Sequence, residues 1–284
     1  NPKQGTDAAL AMAMGHVILK KFHVDNPSEY FQDYARKYID MPFLVQLDKR
    51  EDGSFAPGRF IRAADFDASL GQENNPEWKT VAFDADSNSF VVPNGSIGFR
   101  WGEKGKWNIE EKEGGEGKET KLALSLIENN DEIVSVGFPY FGGVEHEHFP
   151  NNTFNDVIHH NLPAKKIKLA DGGESLVVTV GDLMLANYGV NRGLGGDFVA
   201  ESFDDNAPYT PAWQEQITGV DRKVVIQIAR EFADTANKTK GRSMIIVGAG
   251  MNHWYHMDMN YRGLINLLVM CGCVGQSGGG WAHY

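Results

Sequence analysis

Cysteine is nearly absent from this 284-residue sequence: Cys271 and Cys273 are the only two. That is too few for a disulfide-stapled scaffold, or for a four-thiolate zinc or iron–sulfur site supplied by this chain alone. Such sparse use fits a reducing compartment. Positive charge is also short. With 27 lysines and arginines against 38 aspartates and glutamates, the net charge is −11, the wrong sign for a broad nucleic-acid surface. No long apolar run occurs either. The stretch from Gly263 to Ala282 is uncharged, but glycines, Asn266, Gln276 and Ser277 break it, and a membrane span needs about 20 mostly apolar residues. It reads as a buried helix followed by a glycine loop. Gly-x-Ser-x-Gly, P-loop, kinase and His-Glu-x-x-His signatures are all missing.

What is present suits a folded domain. Hydrophobic residues make up 42% and charged residues 23%, a balance that excludes bulk disorder, collagen and coiled coil. The chain opens on Asn1-Pro2-Lys3-Gln4-Gly5-Thr6 without a charged-then-apolar leader, and it stops at Tyr284, just past a glycine turn. Both ends are those expected of a piece of a longer protein.

Helical spacing of Leu10, Met14, Val17 and Ile18 predicts a helix over 6–22, capped by Thr6 or Asp7. A second is expected over 28–38. From 42 to 140 the character is β-like: Val81, Phe83, Val91 and Val92 alternate, and Pro93-Asn94-Gly95-Ser96 is a hairpin signal. The sign-alternating, glycine-rich stretch 100–121 reads as a surface loop. Residues 151–200 read as helix, strand, helix, with a turn at Asp171-Gly172-Gly173. A helix at 222–236 is capped by Asp221 and carries a Val225, Ile228, Ala229, Phe232 stripe. The buried strand Met244–Val247, a glycine loop and a helix over 259–271 follow. This succession predicts an α/β fold with parallel strands.

Three stretches carry candidate chemistry. Gln4-Gly5-Thr6-Asp7 stands at a helix start, where free amides and the helix dipole favour an anion; an ordinary capped helix is the plain alternative. Gly248-Ala249-Gly250-Met251-Asn252-His253 follows a strand, as nucleotide loops do, but His253 takes the place of the third fingerprint glycine. Gly278-Gly279-Gly280 points to a close approach, to a ligand or to neighbouring backbone, or to positive φ, with a flexible tail as the plain alternative. Glu145, His146, Glu147, His148, His159 and His160 offer a zinc alternative against a solvated loop. Cys271 and Cys273 read as packing residues.

Together these stretches resemble the molybdopterin oxidoreductases, whose molybdenum is held by two molybdopterin guanine dinucleotides. Gln4 to Leu10 is similar to that family's Gly-Thr-Asp motif. Gly248 to His253, Arg262, Leu267, Gly275 and Gly278-Gly279-Gly280 are similar to its second pterin-dinucleotide stretch. Longer blocks resemble the branch formed by respiratory nitrate reductase alpha subunits: Ala63-Ala64-Asp65, Leu70 to Phe83, Pro93 to Trp107, Val136 to Gly143, and Asn252 to Tyr284.

The resemblance implies an internal fragment of a catalytic subunit that reduces nitrate to nitrite in anaerobic respiration. Related selenate or chlorate reductases, and a non-enzymatic binding or assembly module, are the alternatives. It implies parts of two discontinuous Rossmann-like α/β domains. Residues 1–215 would be the remainder of one, with a β-rich, loop-rich insertion at about 42–165, and 216–284 would be the return segment of a second. Gly5, Thr6 and Asp7 would contact one guanine dinucleotide. Gly248, Gly250, Asn252 and His253 would lie near the pterin, His253 donating toward the metal site. Gly278, Gly279 and Gly280 would let backbone approach the cofactor, and Trp281 would wall the pocket. The [4Fe–4S] ligands and the molybdenum aspartate would lie upstream, so no residue here is assigned as metal ligand or catalytic group. Partners implied are an iron–sulfur beta subunit and a membrane cytochrome b gamma subunit at the cytoplasmic face of the membrane. The isolated segment would be inactive, marginally stable or self-associating.

Overall fold

The computed structural model describes residues 1–67, 69, 79–95, 109–114, 117–140 and 157–283. Its helices are α1 (Asp7–Leu19), α2 (Glu29–Tyr38), α3 (Ala63–Phe66), α4 (Val180–Asn187), α5 (Pro211–Thr218), α6 (Arg222–Thr239) and α7 (Met257–Met270). Its strands are β1 (Leu44–Lys49), β2 (Phe55–Phe60), β3 (Ala82–Asp84), β4 (Ser89–Val91), β5 (Pro93–Asn94) and β6 (Glu110–Glu113), then β7 (Lys118–Glu119), β8 (Glu132–Pro139), β9 (Val157–Lys168), β10 (Glu174–Thr179), β11 (Met244–Val247) and β12 (Gly280–His283). The fold is mixed α/β with several separate sheets. Two compact units divide the chain: 1–32, 139–158 and 185–284 form one, and 33–138 with 159–184 form the other.

The second unit is built on a closed barrel in the order β1-β10-β9-β8-β2. Leu44↔Thr179 to Leu47↔Leu176 sets the antiparallel register of β1 with β10, and Phe55↔Val136 joins β2 to β8 in parallel. Leu44, Ile61, Val81, Phe83, Leu126, Ile167 and Val177 fill its core. At the head of α4 the buried Asp182 carboxylate accepts from Ser125 Oγ, Leu126 N and Thr179 Oγ1 at 2.6–2.9 Å, so a buried charge is compensated by donors.

Several local expectations are corrected here. The hairpin signal Pro93-Asn94-Gly95-Ser96 opens on β5, which pairs antiparallel with β6, and Gly95 takes φ 76°; a further tight turn stands at 85–88, between β3 and β4, where Asn88 adopts φ 52°. Ser96 and residues 100–108 lie outside the described residues. Further along the charged stretch, β6 and β7 pair antiparallel, and its alternating signs meet across the strands: Lys112 Nζ stands 3.2 Å from Glu119. Where a helix was expected to open 151–200, the described part is the 12-residue strand β9. Its Ile158, His160, Leu162 and Ala164 are buried while Val157, His159 and Asn161 are more exposed, a period of two rather than 3.6.

In the first unit α1 is the buried centre, packing on α5, α6 and α7. Small residues permit this. A Cβ at Gly263 of α7 would stand 3.0 Å from Ala11 Cβ, and one at Gly15 only 2.3 Å from the Tyr188 ring. Asp221 caps α6 as predicted, accepting from Lys223 N at 2.7 Å. The buried face of that helix is Val225, Ala229, Ala233 and Ala236, whereas Ile228 faces solvent. The stripe sits about an eighth of a turn from its expected centre. β11 and β12 pair in parallel, Met244↔Gly280 to Val247↔His283, with α7 between them in sequence. β11 is not the buried strand expected: Met244 is 46% and Ile246 77% exposed.

Candidate functional site

Parallel pairing of β11 and β12 puts both carboxyl ends, Val247 and His283, at one edge. The chain leaves β11 through Gly248, turns in the short helical segment Ala249–His253 and enters α7 at Met257. That edge is where open α/β sheets bind ligands. α1 joins it. Ala8 N donates to Asn260 Oδ1 at 2.7 Å, and Ala11 meets Gly263 one turn further along both helices. α1 and α7 therefore run side by side in the same direction, with their N-termini together. Two helix N-termini beside strand carboxyl ends bring their positive dipole ends together at this crevice, while the Ala8, Ala9, Met257 and Met259 N–H groups already donate within the chain.

The predicted residues distribute as follows. Gly5, at φ +76°, has the Trp254 indole 3.8 Å from where a Cβ would stand, so the first and second stretches adjoin. Thr6 occupies the N-cap position of α1, but its hydroxyl donates to Lys3 O at 2.6 Å and caps nothing; Asn260 serves the helix end instead. Asp7 is the first residue of α1. A Cβ at Gly248 or Gly250 would meet open space, leaving backbone that a ligand can approach. Asn252 and His253 are exposed on the same loop.

A hydrogen-bonded cluster closes the far side. Tyr261 hydroxyl donates to Asn252 Oδ1 and lies 3.0 Å from His283 Nε2. Trp281 lies 5.5 Å from the Tyr261 ring and stacks on His283. Trp254, Tyr255 and His256 stand within the stretches that carry the sequence reading, but that reading assigns no role to them, nor to Tyr261 and His283. The dense aromatic and imidazole run His253-Trp254-Tyr255-His256 was the available signal, and Tyr255 is 93% exposed.

Gly278, Gly279 and Gly280 lie elsewhere, at the amino end of β12. Of the ligand and the neighbouring backbone that could require glycine, the backbone is present: a Cβ at Gly279 would stand 2.0 Å from Gly241 O. Cys271 and Cys273 pack nearby, buried and without a disulfide, and burial pushes the Cys273 thiol up to about 11. Among the described residues no group of three His, Cys, Asp or Glu side chains could hold a metal. His160 is buried with its ring edge on Phe138, and Glu145 to His148 lie outside the described residues.

Comparison with known proteins places these features. The molybdopterin oxidoreductase family matches residues 1–284. The chain is 66% identical over 283 residues to the respiratory nitrate reductase 1 alpha chain of Escherichia coli (strain K12), covering 100% of this chain and 22% of that protein. It is 62% identical to the respiratory nitrate reductase 2 alpha chain of the same organism, with the same coverage. The nitrate reductase alpha chain of Bacillus subtilis (strain 168) is 48% identical over 99% of this chain and 22% of its own length. The chain thus spans 22% of the length of these curated relatives. A match along every residue, reaching both the α1 N-terminus and the β11–α7–β12 crevice, shows that the chain belongs to the molybdopterin oxidoreductase family.

Proposed function

We propose that this chain is an internal segment of a molybdenum-dependent respiratory nitrate reductase alpha subunit, and that its crevice contributes contacts to a molybdopterin guanine dinucleotide. The observation that carries the proposal is the meeting of the α1 and α7 N-termini with the open glycines of the β11 loop, on a chain 66% identical to such a subunit. The residues present fit an anionic, ring-bearing ligand. Helix-end amides at Asp7 favour anionic oxygens, Gly248 and Gly250 allow backbone approach, and exposed Trp254, Tyr255 and His256 supply ring faces.

Gly5, Thr6 and Asp7 would then grip one guanine dinucleotide. Gly248, Gly250, Asn252 and His253 would line the pterin side, with His253 a donor toward the reacting centre. Gly278, Gly279 and Gly280 would contribute by seating β12, and Trp281 by walling the crevice through Tyr261 and His283. When bound, the cofactor supplies two-electron oxygen-atom transfer; this chain's own side chains bind, orient and exclude water.

The wider arrangement follows from the same reading. The parent is built from discontinuous Rossmann-like domains; because 1–32 and 185–284 form one compact unit here, the segment that carries the barrel is an insertion between those two stretches rather than a division at 215. The parent also carries a [4Fe–4S] cluster on upstream ligands. It docks to an iron–sulfur beta subunit and a cytochrome b gamma subunit at the cytoplasmic membrane face. Among the described residues no helix is long and apolar enough to cross a membrane.

The test uses the full-length subunit in its complex. With reduced viologen it is expected to turn over nitrate in preference to selenate or chlorate, and Gly250→Val, which fills the open crevice lip, is expected to lower guanine-nucleotide and molybdenum content. Preference for another oxyanion, or wild-type content in the glycine variant, would overturn the corresponding half of the proposal.

A further inference from the structure

Asn260 sits in the first turn of α7 and is 1% exposed. Its amide orientation is decided by one bond: Ala8 N–H can only donate, so the atom 2.7 Å away is Oδ1. Nδ2 is thereby the other end of the amide. Buried, it has no hydrogen-bond partner among the described residues. The two ends of a carboxamide lie about 2.3 Å apart, which puts Nδ2 within about 5 Å of the Ala8 nitrogen, at the α1 N-terminus. A buried donor left unpaired is destabilising and rare, and here it stands where two helix ends converge. A plain cap would need only the oxygen. Serine or aspartate at this position would accept from Ala8 without burying an unused N–H pair.

We infer that Asn260 is a cofactor-binding residue: Oδ1 fixes the α1 N-terminus while Nδ2–H donates to an acceptor oxygen of the dinucleotide. This rests on the proposal that the crevice holds that cofactor. Nδ2 is closed to water and unpartnered in the fold as it stands, so loading must bring an acceptor to it.

Asn260→Asp separates the two roles of the amide. The carboxylate still accepts from Ala8 and suits a helix N-terminus, yet it cannot donate and repels an anionic ligand. In the full-length complex, molybdenum and acid-released guanosine monophosphate per polypeptide are the readouts, with Asn260→Ala alongside. A ligand role predicts content in the order wild type, Asn260→Ala, Asn260→Asp, with the last at least tenfold down. A cap alone predicts the reverse order for the variants, with Asn260→Asp at or above wild type, and that result overturns the inference. Should Asn260→Asp not accumulate, Asn260→Ala decides: wild-type content overturns, and reduced content with unchanged melting of the cofactor-free complex supports. Failure of the underlying reading is distinguishable, because then the wild type releases no guanine nucleotide or Gly250→Val also retains wild-type content.

Discussion

Individual residues carry much of what is specific here, and His16 is the clearest case. It is buried on α1, with Nδ1–H donating to Tyr188 O at 2.7 Å. Burial lowers its pKa to about 4, outweighing the favourable carbonyl. The folded state therefore keeps a neutral imidazole that the unfolded chain protonates below about 6.5. The unfolded state binds the extra proton, so stability is full above pH 6.5 and is lost as pH falls toward 4. At about 1.4 kcal/mol per pH unit, the loss approaches about 3 kcal/mol. His23, lowered to about 4 by burial against its bond to Met270 O, acts in the same direction and, with its edge nearer solvent, more weakly. Melting of the full-length subunit is expected to drop across pH 6.5 to 4. His16→Gln, which keeps a donor without a titrating ring, is expected to flatten that drop; an unchanged slope would refute the assignment. Nothing about His16 was legible in the sequence, because burial comes from Tyr188, far along the chain.

At the scale of elements, propensity and capping rules carried far where the signal was local. Asp221 before α6, the Met244–Val247 strand and the α7 helix all form where periodicity put them. They failed where partners decide. Periodicity puts Ile228 in the buried stripe of α6, yet it faces solvent because the neighbouring elements cover Ala233 and Ala236 instead. The opening of 151–200 reads as helix in the sequence, but β9 is a strand there because β10 pairs with it through the turn at Gly172. β12 illustrates the same dependence at the site. Its entry requires Gly279 because Gly241 backbone fills the space a side chain would take. Gly279→Val is expected to cost about 3 kcal/mol or more, in the range of severe overpacking, and to lower cofactor content by displacing His283 and Trp281. Wild-type melting and content in that variant would show that the approach is not tight.

For the molecule as a whole, the exposed apolar side chains are informative. Met244 and Ile246 on β11, Val224 and Ile228 on α6, and Met257 and Met259 on α7 all face solvent. Where such groups adjoin on one surface they favour association. The chain spans only 22% of its curated relatives' length, so further polypeptide is available to cover them. The isolated segment is expected to self-associate, with sedimentation that depends on concentration, and Ile246→Lys is expected to weaken the association. A monodisperse monomer at high concentration would contradict this.

Family, overall α/β character and the two loops facing the crevice were determined by the sequence alone, because they depend on contiguous motifs: Gly-Thr-Asp before a helix, and a glycine loop after a strand. Tertiary structure decided what those motifs meet. It brought Gly5 to Trp254, replaced Thr6 with Asn260 as the partner of the α1 N-terminus, joined Asn252 to His283 through Tyr261, and set Gly278 to Gly280 at the opposite end of β12. Each of these is a contact between segments far apart in the chain. Such pairings are selected by helix packing at Ala11 and Gly263 and by strand register, neither of which a local pattern encodes.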